Sequence, residues 1–198
     1  MTNPSYRTET IKEIDGVQTE YEYMDPSVEA LDSLLRELFH TYWSQIVFGT
    51  CIEGAVYEIR LAERPREITV LDGYLTVDLG VWHFHLCIGE QRGTATNPIP
   101  EAIARKRRAS KAAFFRQLGD KHVGGSWGFR MWNGEGEQML TVFFPNPYLD
   151  EHMKPRSEPY WLRLILWNKM RLKYLYGATE WRSTGEKMNW TVKSAGRQ

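Results

Sequence analysis

Between residues 25 and 42, apolar side chains recur at Val28, Leu31, Leu34, Leu35, Leu38, Phe39 and Tyr42. That is the three-and-four spacing of a helix with one buried stripe. Asp25 suits a cap and Pro26 the first helical position. Beyond Ile46 the period drops to two. "AVYEIRL" sets Tyr57, Ile59 and Leu61 against Val56, Glu58 and Arg60. "REITVLDGYLTVDLG" carries Asp72-Gly73, a dipeptide that favours a two-residue hairpin turn. "VWHFHLCIGEQRG" follows after Gly80, so 66–89 predicts a strand meander.

Further on, "NPIPEAIARKRRASKAAFFRQLG" predicts a second helix, with Pro100 near its start and Gly119 just past its end. "SWGFRMWNGEGEQMLTVFFP" predicts two strands about a turn at Asn133 to Gly136. "SEPYWLRLILWNKMRLKYLYG" predicts a third helix that begins near Ser157 and stops at Gly177. Residues 1–24 are polar and read as an arm or one edge strand. The tail 178–198 is polar too, but its Trp181 and Trp190 suit packing back onto the body. This divides the chain into an arm (1–24), a single domain (25–177) and a tail (178–198). Strands clustered together with helices elsewhere give an α+β fold, an antiparallel meander with helices packed on it.

Composition narrows the partners. Among 198 residues, 25 basic and 25 acidic side chains cancel, so the basic surplus that nucleic-acid binding requires is missing. Cys51 and Cys87 are too few for a disulfide framework and point to a reduced, cytoplasmic setting. The start "MTNPSYRTETIKEIDG" has no apolar run of the signal-peptide kind. No stretch reaches the roughly 18 apolar residues of a membrane span. Eight Trp, ten Tyr and eight Phe are enough to line a pocket as well as fill a core.

The chemistry concentrates in the meander. On a strand, Val81, His83, His85 and Cys87 share one face, and Trp82, Phe84, Leu86 and Ile88 share the other. The second face is core. Two imidazoles on one strand face, their Cα atoms roughly 7 Å apart, suit two ligands of one metal or two walls of a polar pocket. A helix laid over that face would enclose a cavity. If the strand of "GTCIEG" pairs with this one, Cys51, Glu53, His83, His85 and Glu90 converge, a set that contains two histidines and a carboxylate for iron or another transition metal. The basic run Arg105 to Arg108, with Lys111 and Arg116, spreads around a helix and suits carboxylates or phosphates of a small ligand. The Gly-rich "GGSWGFRMWNGEGE" lacks the Lys-Ser/Thr of a phosphate loop. No Gly-x-Ser-x-Gly, Cys-x-x-Cys or His-Glu-x-x-His motif occurs.

Two segments and the order of elements resemble bacterial cytosolic haem-utilisation proteins, the haem carriers and haem-degrading relatives of Hut/Chu/HemS-like fold. "WHFHLCIG" is similar to a family strand of the form Phe-Asn-Leu-His-Leu, with His85-Leu86 on its His-Leu. "RMWNGEGEQMLTVFFP" is similar to the family's Phe-Phe-Asn hairpin, with Asn133, Gly136 and Glu137 on matching positions. The likeness spans about residues 26–175; the doubled histidine, the segment Cys87 to Glu90 and the tail after Gly177 depart from the pattern. It implies a haem-sized pocket between sheet and helices, often in a dimer. On that reading His83 or His85 supplies an axial imidazole. Trp127, Trp132 and Phe143 pack on the porphyrin, and Arg105 or Arg108 pairs with its propionates. The sequence therefore points to a cytoplasmic haem- or tetrapyrrole-binding protein. A non-haem metal enzyme built from His83, His85 and Glu53 or Glu90 is the alternative, and a cofactor-free structural or interaction module is the third.

Overall fold

The computed structural model describes residues 7–13, 16–52, 54–119 and 124–177. In chain order the strands and helices are β1 (Thr8–Lys12), β2 (Gln18–Met24), α1 (Val28–Arg36), β3 (Val47–Gly49), β4 (Cys51–Ile52) and β5 (Ala55–Val56). Then come β6 (Glu67–Leu71), β7 (Tyr74–Asp78), β8 (His83–Cys87), β9 (Gly93–Thr94), β10 (Asn97–Pro98) and α2 (Glu101–Arg107). The last are β11 (Lys111–Leu118), β12 (Trp127–Trp132), β13 (Gln138–Phe143) and α3 (Ile165–Tyr176). The fold is α+β, and its strand pairs are antiparallel.

A six-stranded sheet runs in the order β1-β2-β11-β12-β13-β3, and a three-stranded sheet in the order β6-β7-β8. The second is the meander expected from the alternation. Its tight turn has Asp72 and Gly73 at φ +46° and +79°, the doubly positive pair that a twist-matched two-residue turn requires. Gly73 is also fixed by space, because a Cβ there would meet the Glu90 backbone at 2.7 Å.

Two expectations change. Residues 8–24 supply two paired strands, and β2 lies inside the sheet between β1 and β11. The second helix stops at Arg107, and Lys111–Leu118 is a strand that pairs with β2 on one side and β12 on the other. The run Ala112 to Arg116 is buried throughout, as expected of a central strand covered on both faces. A short continuous apolar run reads equally well as buried helix or buried strand. Here two open sheet edges decide, since β2 and β12 together offer backbone partners on both sides of Ala112 to Arg116.

The core lies between the inner faces of the two sheets, α1 and α3. Leu31, Leu34 and Leu35 of α1 are fully buried, as are Leu38 and Phe39 in the π-helical turn Glu37–Thr41 that continues it. Burying each such side chain contributes roughly 1.5–3 kcal/mol. Phe39, Phe48 and Phe84 meet with ring centroids 4.8–5.3 Å apart and tie the three-stranded sheet to β3. α3 follows a 3-10 turn at Trp161–Leu164, later than Ser157, and ends on left-handed Gly177. Trp167 Nε1 donates to the Gly128 carbonyl at 3.1 Å. Arg171 makes a bidentate ion pair with Glu22 of β2, both side chains buried. Trp181 and Trp190 lie outside the described residues.

Candidate functional site

The histidine strand lies as the alternation places it, but its surroundings differ from the expectation. His83 and His85 are exposed on the outward face of the three-stranded sheet. Among the described residues no helix is laid over them to close a cavity, because α1 packs into the core, against the opposite face. In register with them stand Asp78 opposite His83, Thr76 opposite His85 and Tyr74 opposite Cys87. The imidazole centroids are 4.9 Å apart, and Thr76 Oγ1 lies 2.7 Å from His85 Nδ1. Cys87 is buried at the far end of the strand, where α2 and the chain after it close over that end: Ala109 N–H donates to the Cys87 carbonyl at 2.8 Å. Burial pushes its thiol pKa up, against smaller lowering effects of Tyr74, Arg107 and Arg108. Trp82 belongs with the core residues by alternation, yet it is 38% exposed at the strand entrance.

Among the described residues the wider metal set does not assemble. β4, which carries Cys51, pairs with β5, whereas β8 pairs with β7. Glu90 is exposed and pairs with Arg92 at 3.1 Å; Glu53 lies outside the described residues. Among the described residues no three His, Cys, Asp or Glu side chains are grouped to hold a metal ion.

The residues expected around a porphyrin are scattered. Arg105 is exposed and faces Glu101 at 3.6 Å, one turn away. Arg108 ends α2 in extended backbone. Trp127 is buried on the inner face of β12, stacked 6.3 Å from Tyr148 and edge-on to Trp161. Trp132 lies on the outer face with Tyr21 and Tyr23, and the Lys111 ammonium sits 4.7 Å from its ring. The two tryptophans are five positions apart on one strand, so the sheet separates them. They cannot clasp one ligand.

A cleft that sequence reasoning missed lies beside β3, the end of β13 and the start of α3. Its volume is about 850 Å³, within the range of small-molecule sites. Ile46, Val47, Phe144, Leu149, Leu162 and Leu166 give it apolar walls. Three cations, Arg60, Arg163 and Lys169, line it against two carboxylates, Glu58 and Glu151. Lys169 Nζ donates to Tyr42 Oη at 2.5 Å, and Arg60 Nη2 lies 2.8 Å from Met153 Sδ. Arg163 Nε is buried and has no hydrogen-bond acceptor among the described residues. A buried charged donor left unpaired is costly and rare in a folded protein. In the sequence the trace of this cleft is the pair of cations, Arg163 and Lys169, flanking the apolar run Leu164 to Trp167. Arg60 and Tyr42 join them from segments more than 100 positions away.

Among the described residues no helix is long and apolar enough to cross a membrane. Comparison with curated proteins finds no match. Among solved structures, the chain is distantly similar to one titled "Crystal structure of ChuX". That chain shares 14% identity and a TM-score of 0.41 with this one, over 72% of this chain and 71% of that one. Comparison with protein families matches residues 8–176 to a family of unknown function, DUF7676. The match takes in both sheets and all three helices, and the chain belongs to that family.

Proposed function

We propose that the protein binds a flat, largely apolar small ligand with carboxylate arms, of the haem or tetrapyrrole class, and that the cleft beside α3 holds it. The observation that carries this reading is a cleft of about 850 Å³ with apolar walls and three cations, among them Arg163, whose buried Nε has no partner among the described residues. An acceptor supplied by a ligand carboxylate would satisfy that donor, and a charge-assisted pair formed away from water is the strong kind. Lys169 and Arg60 stand ready for a second carboxylate, and the aliphatic walls suit the face of a macrocycle. The segment likeness "WHFHLCIG" supports the same ligand class. On this reading the protein works in the cytoplasm, as a monomer or a symmetric dimer.

Among the described residues no histidine lines the cleft. Iron ligation through His83 or His85 would instead put the macrocycle on the exposed sheet face. A haemin titration of the purified chain, followed by visible absorption, separates the two placements. Saturation near one haem per chain is expected, with Arg163→Gln and Lys169→Gln each weakening binding roughly tenfold or more, in line with about 1.5–3 kcal/mol for a hydrogen bond to a charged group. Loss in His83→Ala or His85→Ala, with the cleft variants unaffected, would move the site to the sheet face. Absence of saturable binding would overturn the reading.

A further inference from the structure

The outward face of the three-stranded sheet is a polar surface arranged around two imidazoles. Cross-strand register aligns Glu67, Asp78 and His83 in one row, and Thr69, Thr76 and His85 in the next. Side chains directly opposite on one face are close neighbours, so the Asp78 carboxylate, which also accepts the Gly80 N–H, lies next to His83 and favours a bound cation, while Glu67 stands one strand further off. The ring centroids are 4.9 Å apart with the planes inclined at 69°. Two nitrogens held on one ion by bonds of about 2.0–2.1 Å must approach within roughly 4 Å, and this pair of rings reaches that spacing by small rotations of exposed side chains. His85 is already oriented. Its Nδ1 lies 2.7 Å from Thr76 Oγ1, and the tautomer that donates Nδ1–H to that hydroxyl leaves the Nε2 lone pair free. A second partner that fixes tautomer and ring plane in this way is typical of ligating histidines.

We propose that His83 and His85 form an open, two-imidazole chelate for a divalent transition metal, with copper(II) held most tightly. Nitrogen ligands with open positions suit copper, and affinity among first-row divalent ions peaks there. Water completes the coordination, since no third His, Cys, Asp or Glu joins the pair among the described residues. The site is separate from the proposed ligand cleft, none of whose lining residues belongs to β8.

The test is titration of the full chain with aqueous copper(II), followed by electron paramagnetic resonance. One ion per chain is expected, with hyperfine coupling to two nitrogens. His83→Gln and His85→Asn should each weaken binding at least tenfold and leave one-nitrogen coupling. Thr76→Val should weaken it less, through loss of the orienting hydroxyl. Both histidines are exposed, so far-UV circular dichroism should be unchanged in every variant. Equal affinity in wild type and both histidine variants, or coupling that never shows two nitrogens, would overturn the proposal. Copper(II) is added to haem-free chain and Arg163→Gln and Lys169→Gln leave its binding unchanged, so failure of either reading is recognised independently.

Discussion

The outward faces of the two sheets carry similar alternation and meet opposite fates. On the three-stranded sheet, Thr69, Leu71, His83 and His85 stand exposed, with Leu71 at 79%. On the six-stranded sheet, Thr19, Tyr21, Ala113 and Phe115 are buried, no more than 1% exposed. Part of the cover on the second face is its own long side chains. The Arg130 guanidinium lies 4.7 Å from the Phe115 ring and reaches Tyr21 Oη and Glu13. Phe115 can lie across β12 because residue 128 is glycine, where a Cβ would meet the ring at 2.2 Å. Aromatic rings roofed by a guanidinium make a second small core out of an outer face. Threonine, histidine and carboxylate side chains cannot, so they stay in water and remain free to bind.

The largest effects should come from the six-stranded sheet. Arg171→Met removes the partner of buried Glu22 and leaves an uncompensated charge under α3. A loss of about 3–5 kcal/mol is expected, read from the urea midpoint. Phe115→Ala should cost about as much, roughly 3–5 kcal/mol, if the outer face is a true packed layer. Leu71→Ala on the other sheet should stay within about 0.5 kcal/mol. Similar losses for Phe115→Ala and Leu71→Ala would remove the contrast between the two faces.

A pH dependence should distinguish the faces more finely. Burial, aided by the Glu9 carboxylate, pushes the Tyr23 phenol up to about 12. Burial also raises Tyr21, with Glu13 adding to it and Arg130 opposing. A raised phenol pKa means that the folded state holds its proton longer than the unfolded chain. Their contribution is fully present below pH 10 and is lost as pH climbs through the folded values. Stability should therefore decline from about pH 10 upward, and Tyr23→Phe should make the decline shallower. Burial raises Tyr74 and Tyr174 as well, so the ultraviolet titration is read as the difference between wild type and Tyr23→Phe, and loss of an ordinary rather than a late-ionising tyrosine would contradict the burial of that face.

Much of the fold was legible because its signals are local. The period of α1, the Asp72-Gly73 turn and the Asn133 to Gly136 hairpin each depend on a few adjacent residues whose backbone preferences agree with the final structure. The histidine strand was readable for the same reason, since period two fixes which side chains share a face. Local pattern could not say what lies over that face. It also could not show that "KAAFFRQL" would join β2 and β12 rather than extend α2.

The sequence by itself determined the meander, the second hairpin, the first and third helices and the pairing of two imidazoles on one strand, all through periodicity and turn chemistry within short windows. Tertiary structure alone decided that β8 faces water, that β11 is a strand, and that Arg163 and Lys169 meet Tyr42 and Arg60 across a cleft. These outcomes depend on which surfaces of distant segments are left to be covered once the local elements have formed. No property of a short window encodes that.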